Sequence, residues 1–86
     1  MAFELDATDD FKISYHKLVK KNAEFKHAID KKVERIRSNP FMFKPLRGEL
    51  HGQRRAHLMK SFVIKYAIEA NLIVLLNIEH HDNAYD

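Results

Sequence analysis

The residues able to do chemistry gather in the second half of an 86-residue chain. They are Lys44, Arg47, His51, Arg54, Arg55, His57, Lys60, His80, His81 and Tyr85. Cations and imidazoles make up this set apart from the Tyr85 phenol, and carboxylates are missing from it. A metal centre is poorly served. Neither His51 with His57 nor His80 with His81 has the i, i+4 spacing of a helical ligand pair or the i, i+2 spacing of a strand pair. No cysteine is present to give a thiolate ligand or nucleophile. The paired carboxylates of glycoside hydrolysis are absent, as are a serine elbow and a glycine-rich phosphate loop. Histidines among lysines and arginines suit metal-free RNA cleavage instead. That reaction needs a base for the 2′-hydroxyl, an acid for the 5′-oxygen, and cations for the dianionic transition state. Imidazole exchanges protons near pH 7. No metal or other cofactor is expected. The same composition also describes an ordinary basic surface, where most histidines are idle.

Strand alternation decides which of these side chains share a face. Arg55, His57 and Met59 alternate with Ala56 and Leu58, and Arg54 falls in step with that apolar pair. Ala56 and Leu58 are expected to point to a core, and His57 to the opposite, open face. Phe62–Ile68 is rich in β-branched and aromatic residues. Leu72–Ile78 is nearly continuous aliphatic, as in a central strand covered on both sides. Turns are expected at Lys60-Ser61 and Ala70-Asn71, with Asn71 in a left-handed backbone. His80 and His81 follow this strand and must point to opposite sides. Tyr85 stands four residues beyond His81, a spacing that one helical turn brings together.

Upstream, Phe3 and Leu5 alternate with Glu4 and Asp6, which suggests a short first strand with one buried face. Thr8 before Asp9 and Asp10 marks a helix start. The apolar stripe Phe11, Tyr15, Leu18, Val19 carries that helix over residues 8–21. After a break at Asn22-Ala23, Phe25, Ala28, Ile29, Val33 and Ile36 form a second stripe, ended by Asn39-Pro40. Phe41–Gln53 reads as a loop with at most one short extended piece. The expected fold is two-layer α+β over residues 1–86: strand, helix, helix, then three antiparallel strands. A helical hairpin packs on one face of a curved antiparallel sheet.

Composition sets the limits. A chain this short forms one domain and buries about 60% of its unfolded surface. With 45% hydrophobic and 31% charged residues it is globular. Its longest apolar stretch, Leu72–Leu76, is too short for a bilayer span, and no basic signal segment opens it. No membrane partner is expected, and the lack of cysteine fits a reducing cytoplasm. The net charge of +3 is uneven: −4 over residues 1–10, +10 over 11–60, and −3 over 61–86. Such a cationic block attracts polyanions by phosphate neutralisation and counterion release, or else forms two solvated helix faces.

The runs Lys44-Pro45-Leu46-Arg47-Gly48, Arg54-Arg55-Ala56-His57-Leu58, Ser61-Phe62-Val63-Ile64-Lys65-Tyr66 and His81-Asp82-Asn83-Ala84-Tyr85 resemble the RelE/ParE toxin superfamily. The likeness is strongest to its YafQ-type branch of ribosome-dependent mRNA endonucleases. That branch has the pattern H-P-L-x-G, R-D-x-H-I, P-D-W-x-L-I-Y and T-H-x-x-L-F. The resemblance covers most of the chain and is specific from Lys44 to Tyr85. It implies a RelE-like fold and a toxin of a type II toxin–antitoxin pair. Such a toxin cleaves mRNA in the ribosomal A site, by attack of a 2′-oxygen on its own phosphodiester to leave a cyclic phosphate. The partners it implies are a cognate antitoxin protein, the ribosome with its rRNA, and mRNA.

Carried over residue by residue, His57 and His81 match catalytic histidines, and Arg54 matches the arginine of R-D-x-H. Lys44 stands where the branch has histidine and keeps a catalytic or phosphate-binding place. Tyr85 matches the terminal aromatic that stacks on or positions a base. Arg47, His51, Arg55, Lys60 and Phe62 complete the expected RNA-binding set, Phe62 standing where the branch has tryptophan. Ser61 replaces a functional aspartate, and the arginine that RelE proper places before V-I-Y is missing. Two other readings stay open: a ParE-like gyrase inhibitor, and a degenerate non-catalytic module that binds only antitoxin or RNA. His16, His27 and His80 are expected to be surface or structural residues, and Met59 and Tyr66 packing residues.

Overall fold

The computed structural model of the chain describes residues 3–45 and 52–80. Helix α1 (Asp9–Val19) starts where Thr8 Oγ1 accepts the Phe11 amide at 3.1 Å, with Asp9 and Asp10 at the positive end of the helix dipole. The Thr8 hydroxyl also donates to the Leu76 carbonyl at 2.6 Å, so the cap fastens α1 to the sheet. Helix α2 (Ala23–Ser38) is capped by Asn22 Oδ1, which accepts the Phe25 amide at 3.0 Å. Between the helices, Tyr15 donates its phenol to Asp30 Oδ1 at 3.0 Å, and Lys26 meets Asp30 Oδ2 at 2.7 Å. The Lys26 hydrogen bond holds the Asp30 carboxyl below the usual carboxylate range. Pro40 stops α2 and opens a 3-10 turn, Pro40–Met42.

Among the described residues five strands follow the order β1-β5-β4-β3-β2: β1 (Glu4–Ala7), β2 (Lys44–Pro45), β3 (Gln53–Leu58), β4 (Phe62–Glu69) and β5 (Leu72–His80). The sheet is mixed rather than wholly antiparallel, because β1 lies parallel on β5. A parallel neighbour needs a long crossover, and the helices supply one. Within the loop expected over Phe41–Gln53, the described residues include one short extended piece, β2, which pairs Lys44 with Arg55 and Pro45 with Arg54.

Both helices pack on one face of the sheet. Phe11, Phe25, Ile29 and Ile36 meet Ala56, Leu58, Ile64, Tyr66, Ile73, Leu75 and Ile78 in a single core. Three expectations need correction. Strand β5 is covered on one face only: Ile73, Leu75 and Ile78 are buried, while Leu72, Val74 and Leu76 stay partly exposed. The strand central to the sheet is β4, where Val63 and Ile64 are both fully buried. Leu5 is 38% exposed, because β1 is an edge that the helices do not fully cover. Ala70, not Asn71, takes the left-handed backbone, at φ 54°, and Met59 takes it in the preceding turn, at φ 55°. In a two-residue hairpin loop the first position can carry the positive φ alone.

One irregularity sets the faces. Lys65 pairs with Asn77 and Tyr66 with Leu75, so Leu76 bulges out of the ladder. The bulge keeps Tyr66 and Leu75 on the helix side while Lys65 and Asn77 project from the open side.

Candidate active site

The open face is built by alternation along strands whose other side chains are locked in the core. Ala56 and Leu58 are 0% and 1% exposed, so Arg55 and His57 must turn outward. Cross-strand register lines their neighbours into two rows. One runs Lys44, Arg55, Lys65, Asn77 across β2, β3, β4 and β5; the next runs His57, Val63, Glu79. Lys44, Arg55 and His57 line one cavity of about 300 Å³, together with Met42 and Phe43. The sheet thus gathers three of the sequence-expected site residues on one surface: an imidazole able to move a proton near neutral pH, and two cations able to hold a phosphate.

Other expected residues stand elsewhere. Arg54 points to the helix side, as its step with Ala56 and Leu58 implied. Its Nη1 donates to the Phe43 carbonyl at 2.6 Å, and its guanidinium lies 5.4 Å from the Phe41 ring centre. It ties residues 41–43 to β3 and is not part of the open-face group. Phe62 packs edge-on against Phe25 at 5.1 Å and against His80 at 5.4 Å, also on the helix side. Lys60 is exposed in the turn between β3 and β4. Arg47, His51, His81 and Tyr85 lie outside the described residues. His16, His27 and His80 are exposed. Met59, expected to pack, is 52% exposed, because the left-handed turn swings it off the strand.

Tyr66 is a packing residue with a polar end. It is fully buried, and its hydroxyl donates to the Pro40 carbonyl at 2.5 Å. Burial pushes its phenol up to about 12. The bond fixes the turn that leads into β2, and so sets where Lys44 stands.

Residue types alone missed Lys65, Asn77 and Glu79. Lys65 Nζ lies 3.1 Å from Glu79 Oε2, and Asn77 Nδ2 donates to Glu79 Oε1 at 3.1 Å. A signal was present: Lys65 is the lone Lys or Arg of residues 61–86, and Asn77 and Glu79 recur at period two in an otherwise aliphatic strand. Among the described residues no group of three His, Asp or Glu could hold a metal ion. Among them, too, no helix is long and apolar enough to cross a membrane.

Known proteins are similar to this chain in sequence and in fold. Residues 2–85 match the family described as the ParE toxin of the type II toxin–antitoxin system parDE. A protein of Methanocaldococcus jannaschii that carries the toxin name RelE4 is 33% identical over 85 residues, covering 96% of this chain and 90% of that protein. The toxin–antitoxin complex RelBE2 of Mycobacterium tuberculosis contains a chain with a TM-score of 0.78 and 22% identity, covering 94% of this chain and 100% of that one. The E. coli DinJ-YafQ toxin–antitoxin complex contains another, with a TM-score of 0.78, 15% identity and full coverage of both chains. Homologous toxins have therefore crystallised with their cognate antitoxins. With its strand–helix–helix–sheet order and a family match over nearly its whole length, the chain belongs to the RelE/ParE superfamily and is a toxin of a type II toxin–antitoxin system.

Proposed function

We propose that this toxin inhibits translation by cutting mRNA in the ribosomal A site without a catalytic metal, using the open face of its sheet. The observation that carries this reading is the convergence of Lys44, Arg55 and His57 on one cavity. In the proposed step the 2′-oxygen bonds to phosphorus and the bond from phosphorus to the 5′-oxygen breaks. A base takes the 2′-hydroxyl proton, and an acid gives a proton to the departing 5′-oxygen. His57 fills one of these roles, and the resemblance assigns the other to His81. Lys44 and Arg55 offset the charge that grows on the phosphate oxygens. Tyr85, Arg47 and His51 hold the codon, again on the resemblance. The ribosome presents the message in a fixed shape, which suits a shallow site on a small domain. A cognate antitoxin and the cytoplasmic ribosome are the partners of this reading.

The test is primer extension on mRNA bound to purified ribosomes. Wild-type protein should cut at the A-site codon, a 2′-deoxy nucleotide at the cut position should block the cut, and His57→Ala should slow it about 10²- to 10⁴-fold. Intact message with the toxin bound to the ribosome refutes the reading. Because the matched family description names parDE, gyrase supercoiling is assayed in parallel, and inhibition there with an intact message selects the gyrase-directed alternative.

A further inference from the structure

Lys65, Asn77 and Glu79 form a second polar group on the open face, one that the proposed cleavage step leaves unused. Register sets Lys65 directly across from Arg55, and Arg55 directly across from Lys44. Three cations thus stand on three neighbouring strands, at steps of about 4.8 Å. The row leads away from the His57 cavity toward β5, and one carboxylate, Glu79, is turned onto its last cation at 3.1 Å.

This group is expensive as a mere staple. The Lys65 side chain is 15% exposed and that of Glu79 30%, so both side chains are partly withdrawn from water. A partly exposed pair of this kind contributes little net stability. Asn77 completes the arrangement by donating to Glu79, and its Oδ1 is left buried without a hydrogen-bond partner. Leaving a buried acceptor unpaired is unfavourable, yet it fixes the Glu79 carboxylate in place. The result is a cation pre-positioned on a polyanion-binding row, with an internal anion beside it.

We propose that Lys65 is an RNA-binding residue that holds a backbone phosphate beside the one facing His57, and that Glu79, fixed by Asn77, occupies the Lys65 ammonium until RNA arrives. The inference rests on reading the open face as an RNA site. Lys65 then adds a third cation to Lys44 and Arg55, and Glu79 lowers the affinity of the row for unspecific polyanions.

The test uses a short single-stranded RNA with 2′-O-methyl groups, which can bind but cannot be cleaved. Its affinity for the isolated full chain is read by fluorescence anisotropy over a salt series. Lys65→Met should weaken binding about five- to tenfold and flatten the slope of log affinity against log salt by about 0.7, the loss of one phosphate contact. Lys65→Arg should restore both. Glu79→Gln keeps an acceptor for Asn77, removes the competing charge, and should tighten binding by about threefold. Thermal melts of each variant confirm that it is folded. Wild-type protein that does not bind the probe, a Lys65→Met variant with wild-type affinity and slope, or a Glu79→Gln variant that binds more weakly overturns the proposal. The ribosome assay stands apart: wild-type protein that binds RNA through Lys65 yet leaves mRNA intact defeats the cleavage reading and not this one.

Discussion

The two faces of the sheet are built from the same strands and do opposite things. Ala56 and Leu58 are sealed under the helices, while His57 between them is exposed beside Lys44 and Arg55. On β4, Ile64 and Tyr66 enter the core, and Lys65 between them meets Glu79 on the open side. On the helix side nearly every described side chain is apolar, and the buried Tyr66 hydroxyl has its acceptor. On the open side Lys44, Arg55, Lys65 and Glu79 bring charge to the surface, beside the apolar Val63, which is fully buried between its neighbours. A small chain can in this way carry a polar site without opening its core, because the period of two separates the two requirements. Substitutions on the two faces should therefore separate stability from activity, even between adjacent residues.

The sharpest way to break that comparison uses Leu58 and His57. Leu58→Ala should destabilise the fold by about 2–5 kcal/mol. That is a large share of the roughly 5–10 kcal/mol a domain of this size has available. Chemical denaturation should show a large fall in midpoint. His57→Ala should keep its midpoint within about 0.5 kcal/mol of wild type and lose A-site cleavage. A His57→Ala variant that unfolds, or a Leu58→Ala variant as stable as wild type, would mean that the faces are not separate. Arg54 and Arg55 repeat the test more gently. Arg54→Ala removes a charged hydrogen bond to the Phe43 carbonyl and should cost about 1–2 kcal/mol. Arg55→Ala should leave the melt almost unchanged and weaken RNA binding and cleavage. If the two arginines behave alike, alternation is not what assigns their roles.

Much of this was legible in the sequence. Thr8, Asn22 and Pro40 punctuate the helices as capping and proline chemistry require, and the stripes at Phe11 and at Phe25–Ile36 name the helical half of the core. The outward turn of His57 follows from Ala56 and Leu58 alone. The same alternation put Arg54 on the core side, but matching it to R-D-x-H drew it into the expected site. The parallel pairing of β1 was hidden because strand direction depends on a partner some seventy residues away. Likewise the apolar run Leu72–Leu76 that opens β5 gives no sign that one of its faces lacks a cover. The Lys65–Glu79 pair depends on the bulge at Leu76, which no local pattern announces.

Tyr66 tests the helix-side face by pH. Its phenol is raised from an ordinary value of 10.0 to about 12 by burial. The folded state thus favours the protonated phenol. That stability is complete below about pH 10 and is lost as the pH climbs through about 12. The loss amounts to about 2–3 kcal/mol. Wild-type protein should show this alkaline fall in its denaturation midpoint. Tyr66→Phe loses the bond to Pro40 and should be weaker by about 1 kcal/mol near neutral pH, but it should lack this component of the alkaline fall. An identical alkaline profile in both proteins would show that the Tyr66 phenol is not the group that titrates.

The smallest expected effect lies at the β4–β5 turn, where the two faces meet the end of the sheet. Ala70 sits at φ 54°, a backbone region in which its Cβ crowds the following carbonyl. Removing that Cβ relieves strain of about 1 kcal/mol or more, and glycine's extra freedom in the unfolded chain takes part of it back. Ala70→Gly should therefore stabilise the fold by about 0.5–1 kcal/mol, a rise of a few degrees in melting temperature for a chain of this length. Asn71→Gly is the control. Asn71 is not left-handed, so the change relieves nothing and adds unfolded-state freedom, and the variant should melt slightly below wild type. Neither residue belongs to the Lys44, Arg55, His57 group, so cleavage should be unaltered in both variants. If Asn71→Gly is the stabilising change instead, the turn has the geometry that its sequence suggested, with the strain on the other residue.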